Sequence, residues 1–119
     1  MTTYEGFITR QTDSVTVLEI DNTSVDYRNC ETFKSAISTL VGNNQKHLLV
    51  NFEKVSFMDS AGLGVVLYGK RICEGAGGTF AICSVQGYVT NLFKLTNLDR
   101  AVRMYPNEEV ALASLKPVS

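Results

Sequence analysis

The segment Val55-Ser56-Phe57-Met58-Asp59-Ser60-Ala61-Gly62-Leu63-Gly64 joins a hydrophobic strand to a hydrophobic helix through an adjacent carboxylate and hydroxyl. Asp and Ser are favoured just outside a helix because their side-chain oxygens accept hydrogen bonds from first-turn amides that otherwise lack a partner. The helical apolar period starts immediately afterwards, at Leu63, Val66 and Leu67. This order places the Ser60 hydroxyl, exposed, at a helix N-terminus, where free N–H groups favour negative charge. A phosphate added there is compatible with the domain and presents new charge to whatever docks on it. Asp59 is expected either to cap the helix or to orient the hydroxyl.

Elements alternate on both sides of this junction. Phe7 to Arg10 and Val15 to Ile20 read as strands around a hairpin turn at Thr12-Asp13-Ser14. Phe33, Ala36, Ile37, Leu40 and Val41 fall at i, i+3, i+4, i+7 and i+8, the spacing of an amphipathic helix. Gly42 is expected just past its end. Leu48-Leu49-Val50 reads as a central parallel strand buried on both faces. The helix after Ser60 runs to about Glu74 and stops at Gly75-Ala76-Gly77-Gly78. Thr79 to Cys83 is a further strand, and Val89, Leu92 and Phe93 mark a short helix. Val102 to Tyr105 is a last strand, and Pro106-Asn107-Glu108-Glu109 opens a terminal helix with its acidic residues at the positive end. Strands alternating with helices imply crossover units. The predicted fold is α/β: one domain over residues 1–119, with a small, mixed, mostly parallel β-sheet and helices packed chiefly on one side. Residues Lys116 to Ser119 are expected to fray.

Composition narrows the function. At 119 residues and 45% hydrophobic, the chain can bury one core without disulfide or metal staples. Eleven basic residues against twelve acidic ones leave no positive excess for a phosphate backbone, which argues against direct nucleic-acid binding. No apolar run reaches the ~20 residues of a membrane span, and no signal-peptide core is visible, so the cytoplasm is the expected location. Cys30, Cys73 and Cys83 are widely spaced, and the lone His47 completes no zinc set; the thiols read as small reduced hydrophobes.

The glycines invite rival readings that the pattern does not complete. Gly62 and Gly64 would begin a dinucleotide fingerprint, but position 67 is Leu. Gly75 to Gly78 lacks the Lys-Ser/Thr of a phosphate loop and reads as a helix-to-strand turn. Val65, Leu67, Tyr68 and Ile72 widen the apolar stripe of the central helix; most are expected to pack in the core, with part of the stripe left to meet a partner. Three function classes stay open at this point. The first is a binding protein gated by phosphorylation of Ser60. The second is a sensor or adaptor that holds an anionic ligand at the helix N-terminus. The third is a serine hydrolase, which needs a base within hydrogen-bond reach of Ser60 although His47 is the only histidine and Gly-x-Ser-x-Gly is absent.

The run Asn51-Phe52-Glu53-Lys54-Val55-Ser56-Phe57-Met58-Asp59-Ser60-Ala61-Gly62-Leu63-Gly64 resembles the signature of the anti-sigma factor antagonists, small bacterial STAS-domain proteins. The likeness extends to Asp26 before Glu31-Thr32-Phe33-Lys34, to the Gly-rich turn, and to Leu92-Phe93 followed by Leu95-Thr96-Asn97-Leu98. Thr23-Ser24 stand where many members carry a Gly-Glu or Gly-Asp pair. The resemblance implies a regulator of transcription that is not an enzyme, with no catalytic residues, metal or cofactor of its own. Its unmodified form would bind an anti-sigma factor that is also a serine kinase and so free the sigma factor. Ser60 takes the phosphorylation role, and a phosphoserine phosphatase would reset it. Asp26, Asp59, Ser60, Gly62, Leu63 and Gly64 match the partner-binding positions, with Asp26 expected as an exposed loop carboxylate on an acidic docking surface. Related STAS proteins also serve in transport complexes and other partner-switching assemblies.

Overall fold

The computed structural model describes residues 2–115, and Lys116 to Ser119, expected to fray, lie outside the described residues. Strands β1 (Thr2–Tyr4), β2 (Phe7–Thr12) and β3 (Val15–Ile20) form an antiparallel meander. Asp13 takes the left-handed conformation, φ 40°, in the β2–β3 turn, a conformation that Asp tolerates better than most residues. The two-residue strand β4 (Ser24–Val25) leads into helix α1 (Cys30–Gly42), followed by β5 (His47–Asn51). A second two-residue strand, β6 (Phe57–Met58), feeds α2 (Ser60–Gly75), then β7 (Thr79–Cys83). Helices α3 (Gly87–Leu95) and α4 (Leu98–Ala101), strand β8 (Arg103–Tyr105) and helix α5 (Glu108–Leu115) complete the order.

The main sheet runs β1-β2-β3-β5-β7-β8, with β3, β5, β7 and β8 mutually parallel. It is the mixed α/β sheet that the alternating elements predict. Because side chains alternate across a strand, Leu18, Leu48, Val50, Phe80 and Ile82 face one side while Val17, Leu49, Ala81 and Cys83 face the other. The first side carries the larger core, closed by Phe33, Ile37 and Leu40 of α1, Val65, Val66 and Cys73 of α2, and Val89 and Phe93 of α3. Among the described residues, α5 is the one helix that covers the second side, through Ala111, Leu112 and Leu115. Helices therefore pack chiefly on one face.

Gly42 is the last residue of α1 rather than the residue beyond it; the left-handed residue that turns the chain out of the helix is Asn44, φ 65°. Cys73 and Cys83 are fully buried, and burial pushes their thiols up to about 12 and about 11, so both are inert packing groups. His47 opens β5 with its Nδ1 3.1 Å from the Thr79 hydroxyl.

Candidate functional site

The short strands β4 and β6 build the site. They pair in parallel, Ser24 opposite Phe57 and Val25 opposite Met58, in a two-stranded sheet apart from the main one. The next residue on each strand is an aspartate, so this ladder delivers Asp26 and Asp59 side by side. The Asp59 amide continues the pairing by donating to the Val25 carbonyl at 3.2 Å.

Asp59 is the N-cap of α2. Its backbone is extended, φ −107° and ψ −175°, and its Oδ1 accepts from the Gly62 amide at 3.1 Å. That bond satisfies one of the orphan first-turn donors. Its second oxygen, Oδ2, accepts from the Tyr27 amide at 3.1 Å. One carboxylate thus ties the start of α2 to the loop that precedes α1.

Asp26 is buried, 5% exposed, which corrects the expectation of an exposed loop carboxylate. Its Oδ1 accepts from the Arg28 amide at 3.0 Å and from Arg28 Nε at 3.1 Å, and its Oδ2 from Arg28 Nη2 at 2.7 Å and Ser24 Oγ at 3.2 Å. Its pKa falls from the ordinary 3.8 to about 2, first because of the Arg28 guanidinium hydrogen bonds and then because of the Arg28 amide. The negative charge that the sequence placed on a docking surface is turned inward and neutralised. Asn29 locks the same loop: its Oδ1 accepts from the Asp26 amide at 3.0 Å and its Nδ2 donates to the Ser24 carbonyl at 2.8 Å. Asn29 is the N-cap residue of α1 by position, yet its side chain caps the loop instead of the helix.

Ser60 is the first residue of α2, is exposed, and makes no hydrogen bond through its hydroxyl among the described residues. Gly64, one turn on, is also exposed, with open space where a Cβ would stand. Leu63 is half-buried against the core. Gly62 is buried, and a Cβ there would lie 2.8 Å from the Val25 carbonyl oxygen and 2.8 Å from Met58 Cγ. It is the point where the backbone of α2 meets β4, so it shapes the surface from beneath.

Exposed apolar side chains surround this corner, and of the four helix positions expected to widen the stripe toward a partner only Leu67 is among them. Tyr27 is 75% exposed on the loop bound to Asp59. Phe57 points outward from β6 and stacks on Tyr88 of α3, ring centroids 5.6 Å apart and planes 7° from parallel. Leu67 is exposed on α2, whereas Val65 is buried and Tyr68 and Ile72 are half-buried. The alternation Phe57 out, Met58 in was the available signal, but a two-residue strand is too short to show a period.

The hydrolase reading fails on distance. Ser60 begins α2, whose 16 residues span about 24 Å at the usual rise. The far end of α2 leads to Gly78, where a Cβ would stand 2.1 Å from the Lys46 carbonyl oxygen, beside His47. Serine and histidine lie at opposite ends of the helix. Among the described residues no three metal-ligating side chains cluster, and no helix is long and apolar enough to cross a membrane.

The sequence profile of the STAS domain matches residues 7–111. The anti-sigma F factor antagonist of Paenibacillus polymyxa is 35% identical over 74 residues, a match covering 62% of this chain and 63% of that one. The structure of the Bacillus cell fate determinant SpoIIAA in its phosphorylated form is similar at a TM-score of 0.72 and 25% identity, covering 92% of this chain and 99% of that chain. An anti-sigma-factor antagonist (STAS) domain protein from Planctomyces limnophilus shares the fold at a TM-score of 0.84 and 21% identity, covering 93% and 98%.

Proposed function

This chain belongs to the STAS-domain family, and we propose that it is an anti-sigma factor antagonist gated by phosphorylation of Ser60. The unmodified form binds an anti-sigma factor that is also a serine kinase, and the sigma factor is thereby freed. The chain acts in the cytoplasm as a substrate and a competitor and catalyses nothing itself. The kinase transfers the γ-phosphoryl group of ATP to Ser60 Oγ, the hydroxyl proton leaves to a base of the kinase, and ADP departs. A phosphoserine phosphatase reverses the modification.

One observation carries this reading: the capping carboxylate belongs to Asp59, which leaves the exposed Ser60 hydroxyl without a structural task. A side chain with no partner in the fold is free to be modified without unfolding it. The α2 N-terminus favours the added charge of about −1.5 to −2 in the free domain. In a complex the same charge meets a surface fitted to a neutral hydroxyl, and stripping water from an unpaired anion costs several kcal/mol. Ser60, Leu63 and Gly64 form the docking surface together with Tyr27 and Leu67. Asp26, Asp59 and Gly62 serve it indirectly, by fixing the loop and the helix start.

Mapping phosphate by mass spectrometry on the chain isolated from its native cells tests the assignment. Phosphate on Ser60, with loss of binding to the anti-sigma factor in that fraction, is the expected outcome. Phosphate confined to another residue, or equal binding by both fractions, contradicts it. Millimolar affinity or better for inorganic phosphate at the unmodified helix N-terminus would favour the anion-sensor reading instead.

A further inference from the structure

The Tyr27–Asp59 hydrogen bond, 3.1 Å, joins the two segments of the site. Arg28 and Ser60 each follow one end of this bond in sequence, so the backbone path puts an arginine and the exposed hydroxyl on adjoining segments. The Arg28 side chain is 66% exposed, while the Asp26 carboxylate that it holds is only 7% exposed. The guanidinium spends one edge on that carboxylate, through Nε and Nη2, and touches Ser24 Oγ with Nη2 at 3.3 Å. Its Nη1 donates to no group among the described residues. Guanidinium carries five N–H donors in a rigid fork, so one edge can hold a carboxylate while the other takes a phosphate.

We infer that Arg28 is the internal receptor for the phosphate on Ser60, its free Nη1 edge bonding the phosphate oxygens while Nε and Nη2 stay on Asp26. The inference rests on the phosphorylation of Ser60 proposed above. Asp26 sets the guanidinium plane, and the Asn29 cross-links hold the loop that carries it. Asp26 is already paired with Arg28, whereas Asp59, whose two oxygens accept backbone amides, keeps its negative charge beside Ser60; that repulsion is common to every Arg28 background and cancels when they are compared. Phosphorylation then does more than add charge. It staples the start of α2 to the loop before α1, beside the exposed Tyr27, and fixes that part of the surface in the form the partner rejects.

The test separates this bridge from the identity of the kinase. Phosphoserine is placed at position 60 during translation in the full chain, in wild-type, Arg28→Gln and Arg28→Lys backgrounds. The second ionisation of the phosphate is followed by phosphorus-31 NMR at low and high salt. The bridge predicts a second pKa lower in wild type than in Arg28→Gln by about half a unit or more, with Arg28→Lys between them, because a close opposite charge favours the dianion. The difference should persist in about 1 M salt, where distant charges are screened. Equal pKa values in the three backgrounds overturn the inference, as does a difference that vanishes at high salt. Kinase labelling at a residue other than Ser60 would instead sink the proposed function and leave this measurement standing.

Discussion

The carboxylate of Asp59 holds the Tyr27 amide at 3.1 Å with one oxygen and the Gly62 amide at 3.1 Å with the other. The residue that starts the central helix therefore also clamps the loop that starts the preceding one. Replacing Asp59 with Ala should lower stability by about 1–2 kcal/mol, the usual cost of losing an N-cap. Asp59→Asn retains a capping carbonyl and should recover most of that loss. Chemical denaturation of the three proteins checks both statements, and a stability order in which Asn is no better than Ala contradicts them.

Ser60→Ala should be nearly silent in the same assay, within about 0.5 kcal/mol of wild type, because an exposed side chain without a partner is removed. The capping penalty that a serine beside a helix invites falls on Asp59 instead. The variant should bind the anti-sigma factor and accept no phosphate. A drop of 1 kcal/mol or more would restore a structural role to the hydroxyl.

The two glycines of the Gly62-Leu63-Gly64 run should respond in opposite directions. At Gly62 a methyl group meets the Val25 carbonyl oxygen at 2.8 Å, a backbone atom that cannot step aside, so Gly62→Ala should cost about 1–3 kcal/mol. At Gly64 the space is open, and Ala should add up to about 1 kcal/mol through helix propensity. If Gly64 lies on the docking surface, the same methyl group should weaken partner binding while thermal stability rises. Thermal melts and calorimetric titration separate the two effects.

Asp26 should shape the acid limb of stability. Its folded pKa, about 2, lies below the ordinary 3.8, so its contribution is fully present above about pH 4. That contribution is lost as pH falls from about 4 toward 2 and the folded carboxylate is protonated. Asp26→Asn should be less stable than wild type at neutral pH, with the gap closing below about pH 3. A constant gap across that range would show that the Arg28 pairing contributes nothing pH-dependent.

The main architecture was readable because its signals are long. Phe33 to Val41 carries more than two helical turns of apolar spacing, and Leu48-Leu49-Val50 is a continuous apolar strand centre. The junction was readable because Asp-Ser before a helical run marks a helix start, although which of the two side chains caps it was not legible. What escaped was short or non-local. Strands β4 and β6 have two residues each and no detectable period, yet their register places Asp26 beside Asp59. Asp26 was expected at the surface because acidic loop residues usually sit there. The spacing Asp26-Tyr27-Arg28-Asn29 held the contrary signal, a cation two residues on and an amide three residues on, each within reach of the loop. The Phe57–Tyr88 stack depends on how α3 sits against β6, a packing fact that no local pattern encodes.

Ser60→Asp tests the central claim most directly, with thermal stability and affinity for the anti-sigma factor measured on the same preparation. The charge stands at the α2 N-terminus, so the free domain should be unchanged or stabilised by about 0.3–1 kcal/mol. Binding should weaken by at least about 1.4 kcal/mol, a factor of ten, because the carboxylate is desolvated in the complex. A melting temperature that holds or rises together with that loss of affinity is the predicted result. A variant that binds as tightly as wild type, or one that loses affinity only because it unfolds, would contradict a charge-gated switch at Ser60.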